Sequence, residues 1–347
     1  MSGVDEGLTQ RREAEGHAGA GRGPRAGARG VRARARGVRA RARGVRGVYA
    51  ALVASFLLGW APILGKLAYR ADVDPATLAS LRTLVAAVIL WVVYLIAWRD
   101  RLRVPSKALL SCLLVGAING IGSLFYYNGL SRLDASRAAL LGATYPVWVV
   151  IFLSASGQRI RTGTLVQLVG SMAGAVLVTS PWSMGGATDL LGSMLMMASA
   201  AVNGWYLVMG QWVLADVPSG SGTLYILTGM AATVLGARLA GGGLAVTSIV
   251  PAGWHAIVAL GLTTALSRMA MFFSLEKVGG AQTAILNLVE LAVSLALAFV
   301  FLGDRLFWYQ WIGALLLLGG GLLARMRAQA GAVVDVAFDP VTASWGS

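Results

Sequence analysis

Two side chains of opposite charge, Arg268 and Glu290, sit inside long apolar runs, at 252–275 and 281–302. If both runs are helices joined by a short connection, they pack as antiparallel neighbours. Each charge then lies ~10–14 Å from the same end of the pair, at ~1.5 Å per residue. A carboxylate and a guanidinium at matching depth can form a central gate or a proton-coupling site, in which protonation of Glu290 frees Arg268 for a substrate. The bland alternative is an ion pair that fixes helix register. Such a pair need not stabilise, but removing one member strands the other.

Other polar groups fall in the same kind of run. Lys66 is about one turn from the end of the first, where it either snorkels to the surface or lines an outer cavity. Arg82 is about two turns into the second. Facing lipid there would cost ~2.5 kcal/mol or more, so it should face protein or water. Aromatic and amide side chains gather at Trp60 beside Pro62, at Asn119 and Phe125 to Asn128 (including Tyr127), at Tyr145, Pro146 and Trp148, at Asn203, Trp205 and Tyr206, and at Asn287. An interior proline removes a backbone hydrogen bond and opens a kink. A kinked fourth helix beside amides and rings makes a cavity for an amphipathic small molecule. Any single ring serves equally well in packing or in an interfacial belt. His255, near a helix end, reads as an interface residue.

The elements that hold these groups follow from composition. Of 347 residues 57% are hydrophobic and only 13% charged, and the mean hydropathy is +0.70. That is too little charge to cover a water-facing surface, so most of the chain faces lipid. The runs are continuous rather than alternating, which selects helices over a barrel. Ten spans are read, at about 48–69, 76–98, 107–129, 137–155, 164–182, 189–214, 221–241, 252–275, 281–302 and 307–326. The fold class is therefore all-α integral membrane. Cys112 is the single cysteine, so no disulfide or cysteine metal site forms within one chain.

Residues 1–47 stand apart as an Arg-rich tail. They hold twelve arginines and four acids, and Gly-Val-Arg-Ala-Arg-Ala-Arg from Gly30 repeats from Gly37. This segment has no apolar content to bury and reads as disordered. It supplies +8 of the formal net charge of +14. Such an arm can hold anionic lipid headgroups, and the tail position of the charge argues against a nucleic-acid partner. It can equally be a translated leader with no role. It shows no cleavable signal peptide. Residues 327–347 form a short C-terminal tail. Lys and Arg near the span ends favour one side by nine to five even without the arm. That places both termini in the cytoplasm of a multi-pass protein of the cytoplasmic (inner) membrane.

The chain repeats itself. Leu130 to Leu133 and Ala139 to Leu141 recur 145 positions later as Leu275 to Val278 and Ala284 to Leu286, and Gly157-Gln158-Arg159 precedes Gly303-Asp304-Arg305 by 146. Two units, 48–182 and 189–326, each with five spans, lie upside down relative to each other, an inverted repeat suited to alternating access. Together these features resemble the EamA family of the drug/metabolite transporter superfamily. The resemblance rests on Trp60 with Lys66, Pro75 with Leu81-Arg82, Leu130 through Tyr145-Pro146, Leu275 through Arg305, and the Gly170/Gly174 and Gly313/Gly320 helices. Gln158 stands where the family has glutamate, and Leu291 where it has proline. The resemblance implies a secondary exporter or importer of small metabolites with a cavity between the halves.

The expected function is a secondary transporter of small organic metabolites or drugs, exporting, with proton coupling through Glu290 and a homodimer as an open assembly state. No Gly-x-x-x-x-Gly-Lys loop is present, so no ATP motor is encoded. No His-Glu-x-x-His or Gly-x-Ser-x-Gly is present either, which argues against an intramembrane enzyme. A membrane scaffold using the basic arm is the remaining alternative. No catalytic, cofactor-binding or metal-ligating residue is assigned.

Overall fold

The computed structural model describes residues 45–155, 162–179, 187–213, 219–243, 249–286, 288–316 and 319. Nearly all of the Arg-rich tail, Gly157-Gln158-Arg159, Asn287 and the C-terminal tail lie outside the described residues. The described residues contain helices and their connections and no strand.

Helix α1 runs Val45–Arg70 and turns at Trp60. Its second segment, Ala61–Arg70, starts afresh because Pro62 has no N–H to give. Helix α2, Pro75–Ala97, opens with proline at its first position and Asp74 as its cap, the Thr77 N–H donating to Asp74 Oδ2 at 3.0 Å. Helix α3 is Ser106–Arg132. The expected fourth span is broken into α4, Ala135–Gly142, and α5, Tyr145–Ala155. The break falls just before Pro146, as the kink argument requires. Then come α6, Thr162–Thr179, α7, Ala187–Val213, and α8, Ser219–Ala240.

Helix α9 differs from expectation. It runs unbroken from Pro251 to Leu286, through the connection expected near 276–280. That stretch contains no proline, so nothing in it forces the helix to stop. Helix α10, Leu288–Leu297, continues into a π-helical turn at Ala298–Leu302 and ends where Gly303 takes the left-handed conformation, φ 72°. Helix α11 covers 308–316.

Among the described residues, six helical stretches are long and apolar enough to cross a membrane: α1, α2, α3, Ala135–Phe152, Thr188–Met209 and Gly220–Ala240. Helix α2 shows why. Leu78, Ala86, Leu90 and Tyr94 are buried, while Leu84, Val88, Val92 and Leu95 on the other face are exposed. A helix apolar on both faces suits lipid outside and protein inside.

Packing crosses between the sequence halves. Helix α3 lies on α7 and α8, α9 lies on α1 and α2, α2 lies on α8, α5 lies on α7, and α10 lies on α1. Close approach is made by glycines. A Cβ on Gly116 of α3 would run into the Ile226 carbonyl of α8, and one on Gly229 of α8 into the Leu113 carbonyl of α3. Hydroxyls tie the same seams to backbone carbonyls. Ser80 Oγ donates to the Val234 carbonyl at 2.8 Å, Ser199 Oγ to the Gly122 carbonyl at 2.9 Å, and Ser294 Oγ to the Gly59 carbonyl at 3.0 Å.

Gly116→Val or Gly229→Val should therefore lower stability by about 1–3 kcal/mol or more through overpacking, read as a lower Tm and loss of a monodisperse peak in detergent. Gly236→Ala, where a Cβ meets nothing within 4 Å, should leave both unchanged.

Candidate functional site

Arg82 is the centre of the bundle's polar interior. It is only 8% exposed. It reaches from α2 to α3 and α9, donating from Nη2 to Ser123 Oγ at 2.8 Å and from Nη1 to Thr264 Oγ1 at 3.4 Å. Its guanidinium carbon stands 4.6 Å from the centre of the Tyr127 ring, a cation–π contact. Nε is buried with no hydrogen-bond partner. No carboxylate pairs with Arg82 among the described residues. A guanidinium keeps its proton in proteins, so the charge cannot be shed by titration. Burying an ion without its counter-ion costs several kcal/mol. Tyr127 is held in turn by Tyr69, whose hydroxyl donates to the Tyr127 carbonyl at 2.8 Å.

Arg268 follows Thr264 by one turn on α9 and is partly buried. It lines a cleft with Asn119 of α3, Tyr206 of α7 and Thr223, Ile226, Leu227 and Met230 of α8. The cleft encloses only about 10 Å³, room for about one water molecule, and opens partly to the surface. That is less than the roughly 300–1,000 Å³ of most small-molecule sites. Glu290 is within Coulombic reach of Arg268, and Tyr126 is within reach of Glu290. No direct ion pair joins Arg268 to Glu290 among the described residues. The two charges sense each other without touching.

The remaining expected residues divide. Trp60 is at the α1 break, its ring 5.1 Å from Phe301. Lys66 is in the field of Asp134 and Asp304 near the end of α1. Tyr206 reaches the Arg268 cleft. Asn128 does not serve the interior, because its amide donates to the Leu124 carbonyl of its own helix at 2.9 Å. Asn203 and Tyr145 are partly buried on α7 and α5. Pro146 is in α5, and Asn287 lies outside the described residues. Trp148, named with the aromatic cluster, has a buried indole N–H with no partner among the described residues. Ser123 and Thr264 were also missed. Each lies four residues from another cleft group, Asn119 and Arg268, and that spacing was the available signal.

One end of the bundle is closed by polar contacts between sequence halves. Asp304 Oδ2 accepts from the Ser136 N–H at 3.0 Å and from its hydroxyl at 3.2 Å, capping α4 from the far half. Arg238 of α8 donates from Nε to Thr77 Oγ1 at 2.8 Å and lies 3.5 Å from Asp74. Arg137 lies between Asp134 at 3.6 Å and Asp189 at 3.5 Å.

Comparison with known proteins gives three findings. The model of the EamA-like transporter family matches residues 45–180 and again 190–326. A Bacillus subtilis (strain 168) protein described as the uncharacterized transporter YcbK is 22% identical over 280 residues, 77% of this chain and 88% of its own. A solved structure described only as "Crystal structure of protein" superposes with a TM-score of 0.57 at 20% identity. It covers 82% of this chain and 98% of its own, and it speaks to the fold alone.

Asp304→Ala should remove the α4 cap and cost about 0.5–2 kcal/mol, as cap losses do, seen as a lower Tm in detergent. Asp304→Asn, which can still accept, should lose less.

Proposed function

The chain belongs to the EamA-like transporter family, and from that premise we propose that it is a secondary exporter of small organic metabolites in the cytoplasmic membrane. Its two units of five spans are inverted relative to each other and enclose a chamber at mid-depth. The observation that carries this reading is the packing pattern. Shifting by the repeat length of 145 exchanges α3 with α9, α2 with α8 and α1 with α7. The seam α3–α8 then becomes α9–α2, and α3–α7 becomes α9–α1. All four are packed seams, and α2–α8 maps onto itself. A bundle with repeat-related seams can exchange which end is open by rocking one unit on the other.

In this reading both termini are cytoplasmic, and the end closed by Asp304, Arg238 and Arg137 faces outward. Glu290 takes and releases the coupling proton while Arg268 beside it contacts the solute. The Arg-rich tail rests on anionic headgroups at ~1 kcal/mol per arginine near the surface. Energy comes from a gradient, with no catalytic residue and no cofactor.

Reconstituted protein should move a metabolite in response to a pH gradient. Glu290→Gln and Arg268→Ala should each cut flux about tenfold or more, the cost of a lost charged hydrogen bond, with membrane insertion intact. Wild-type flux in both would remove the gate. Accessibility labelling should find residues 1 and 347 on the same face; labelling on opposite faces would end the inverted-repeat reading.

A further inference from the structure

The repeat length carries the polar interior onto itself as well as the helices. A shift of 145 takes Arg82 to Leu227, Asn119 to Thr264 and Ser123 to Arg268. Arg82 of α2 contacts Ser123 of α3 and Thr264 of α9. The shifted set, Leu227 of α8, Arg268 of α9 and Asn119 of α3, lines the cleft described above. The interior thus consists of two half-sites built from equivalent positions. Each contains one arginine, supplied by α2 in the first and by α9 in the second.

Among the described residues, neither arginine is matched by a carboxylate in direct contact. Arg82 is surrounded by two hydroxyls and a ring face, and its buried Nε has no partner. Arg268 has Glu290 only at Coulombic distance. Two permanent cations and one carboxylate leave the neighbourhood one negative charge short. Guanidinium forks fit planar carboxylate and phosphate oxygens in pairs.

We propose that Arg82 and Arg268 are the two anion-binding groups of one chamber, and that its ligand carries a carboxylate or a phosphate. As a substrate class this rests on the transport reading above; as a binding site it does not. A monoanion between the half-sites neutralises the chamber, supplies the acceptor that Arg82 Nε lacks, and can pass one helical turn along α9 from Arg82 to Arg268.

The test uses the full chain, in detergent and in proteoliposomes. The probes are succinate for a carboxylate, glycerol 3-phosphate for a phosphate, glycerol as neutral and choline as cationic, with chloride at equal ionic strength as control. At least one of the two anions should raise the wild-type Tm by about 2–4 °C near saturation, and glycerol, choline and chloride should not. Which anion does so identifies the group recognised. Arg82→Met and Arg268→Met should each abolish the rise. Arg82→Met without ligand should be as stable as wild type or more so, because it removes a buried charge that lacks its counter-ion. A purely structural arginine would instead lower Tm when replaced. If Arg82→Met does not fold, Arg82→Lys decides. Anion affinity reduced about tenfold or more with the fold intact supports the site, since ammonium lacks the fork; unchanged affinity overturns it. No anion-dependent rise in wild type, or a rise that survives both methionine variants, also overturns it. Flux of glycerol or choline with no anion binding leaves transport standing and removes the anion site. Arg82-dependent anion binding with no flux of any probe does the reverse.

Discussion

A guanidinium that cannot give up its proton sits where three helices meet, with hydroxyls and a ring around it and no carboxylate in contact. That single condition organises the interior. Arg82 cannot move to the lipid face without a larger cost, so α2 is held in one rotational setting, with Leu84, Val88 and Val92 outward and Leu78, Ala86 and Leu90 inward. Ser123 and Thr264 must then present their hydroxyls from α3 and α9. The helices that carry them come from different units of the repeat. The charge is therefore solvated from both units at once.

Such solvation works only at short range, and glycine makes the range short. Backbone meets backbone at Gly116 and Gly229 between α3 and α8. Gly261 of α9 is equally tight against Val85 and the Arg82 carbonyl of α2. Hydrophobic association adds little between helices already in lipid, so dispersion at these close approaches and the interhelical hydroxyl bonds carry the assembly. This explains why small residues are so frequent along the seams, and why a chain with 45 glycines still forms long helices. Each helix is stabilised by its neighbours and its surroundings more than by its own propensities.

Much of this was legible in the sequence. Hydropathy marked an all-helical chain, though not ten separate spans; the prolines marked the breaks at Trp60 and before Pro146, and depth alone required Arg82 to turn inward. What was not legible was side-chain direction. Asn128 was expected in the cavity, yet its amide bonds its own helix, a choice of rotamer that residue type does not dictate. Ser123 and Thr264 did not stand out, despite their spacing, because serines and threonines that bond a carbonyl one turn back occur throughout such helices, as Ser80, Thr83 and Thr228 do here. The run 276–280 looked like a connection because it carries charges and paired glycines, but neither stops a helix as a proline does. Asp304 was read as a motif residue; its service as a cap for α4, in the other unit, depends on tertiary approach.

The contacts that hold the Asp304 end together are of a particular kind. They are hydroxyl, carboxylate and guanidinium groups near helix termini, several of them partly open to solvent: Asp134 has 61% of its side chain exposed and Asp74 53%. Water can replace either partner of the exposed ion pairs at Asp134 and Asp74 almost one for one, so each of these pairs is worth only ~0–1 kcal/mol. The glycine seams deeper in have no such substitute. This end of the molecule is thus fastened by a row of weak, exchangeable clasps over a stiff spine, and thermal agitation can undo the clasps one at a time without disturbing the spine.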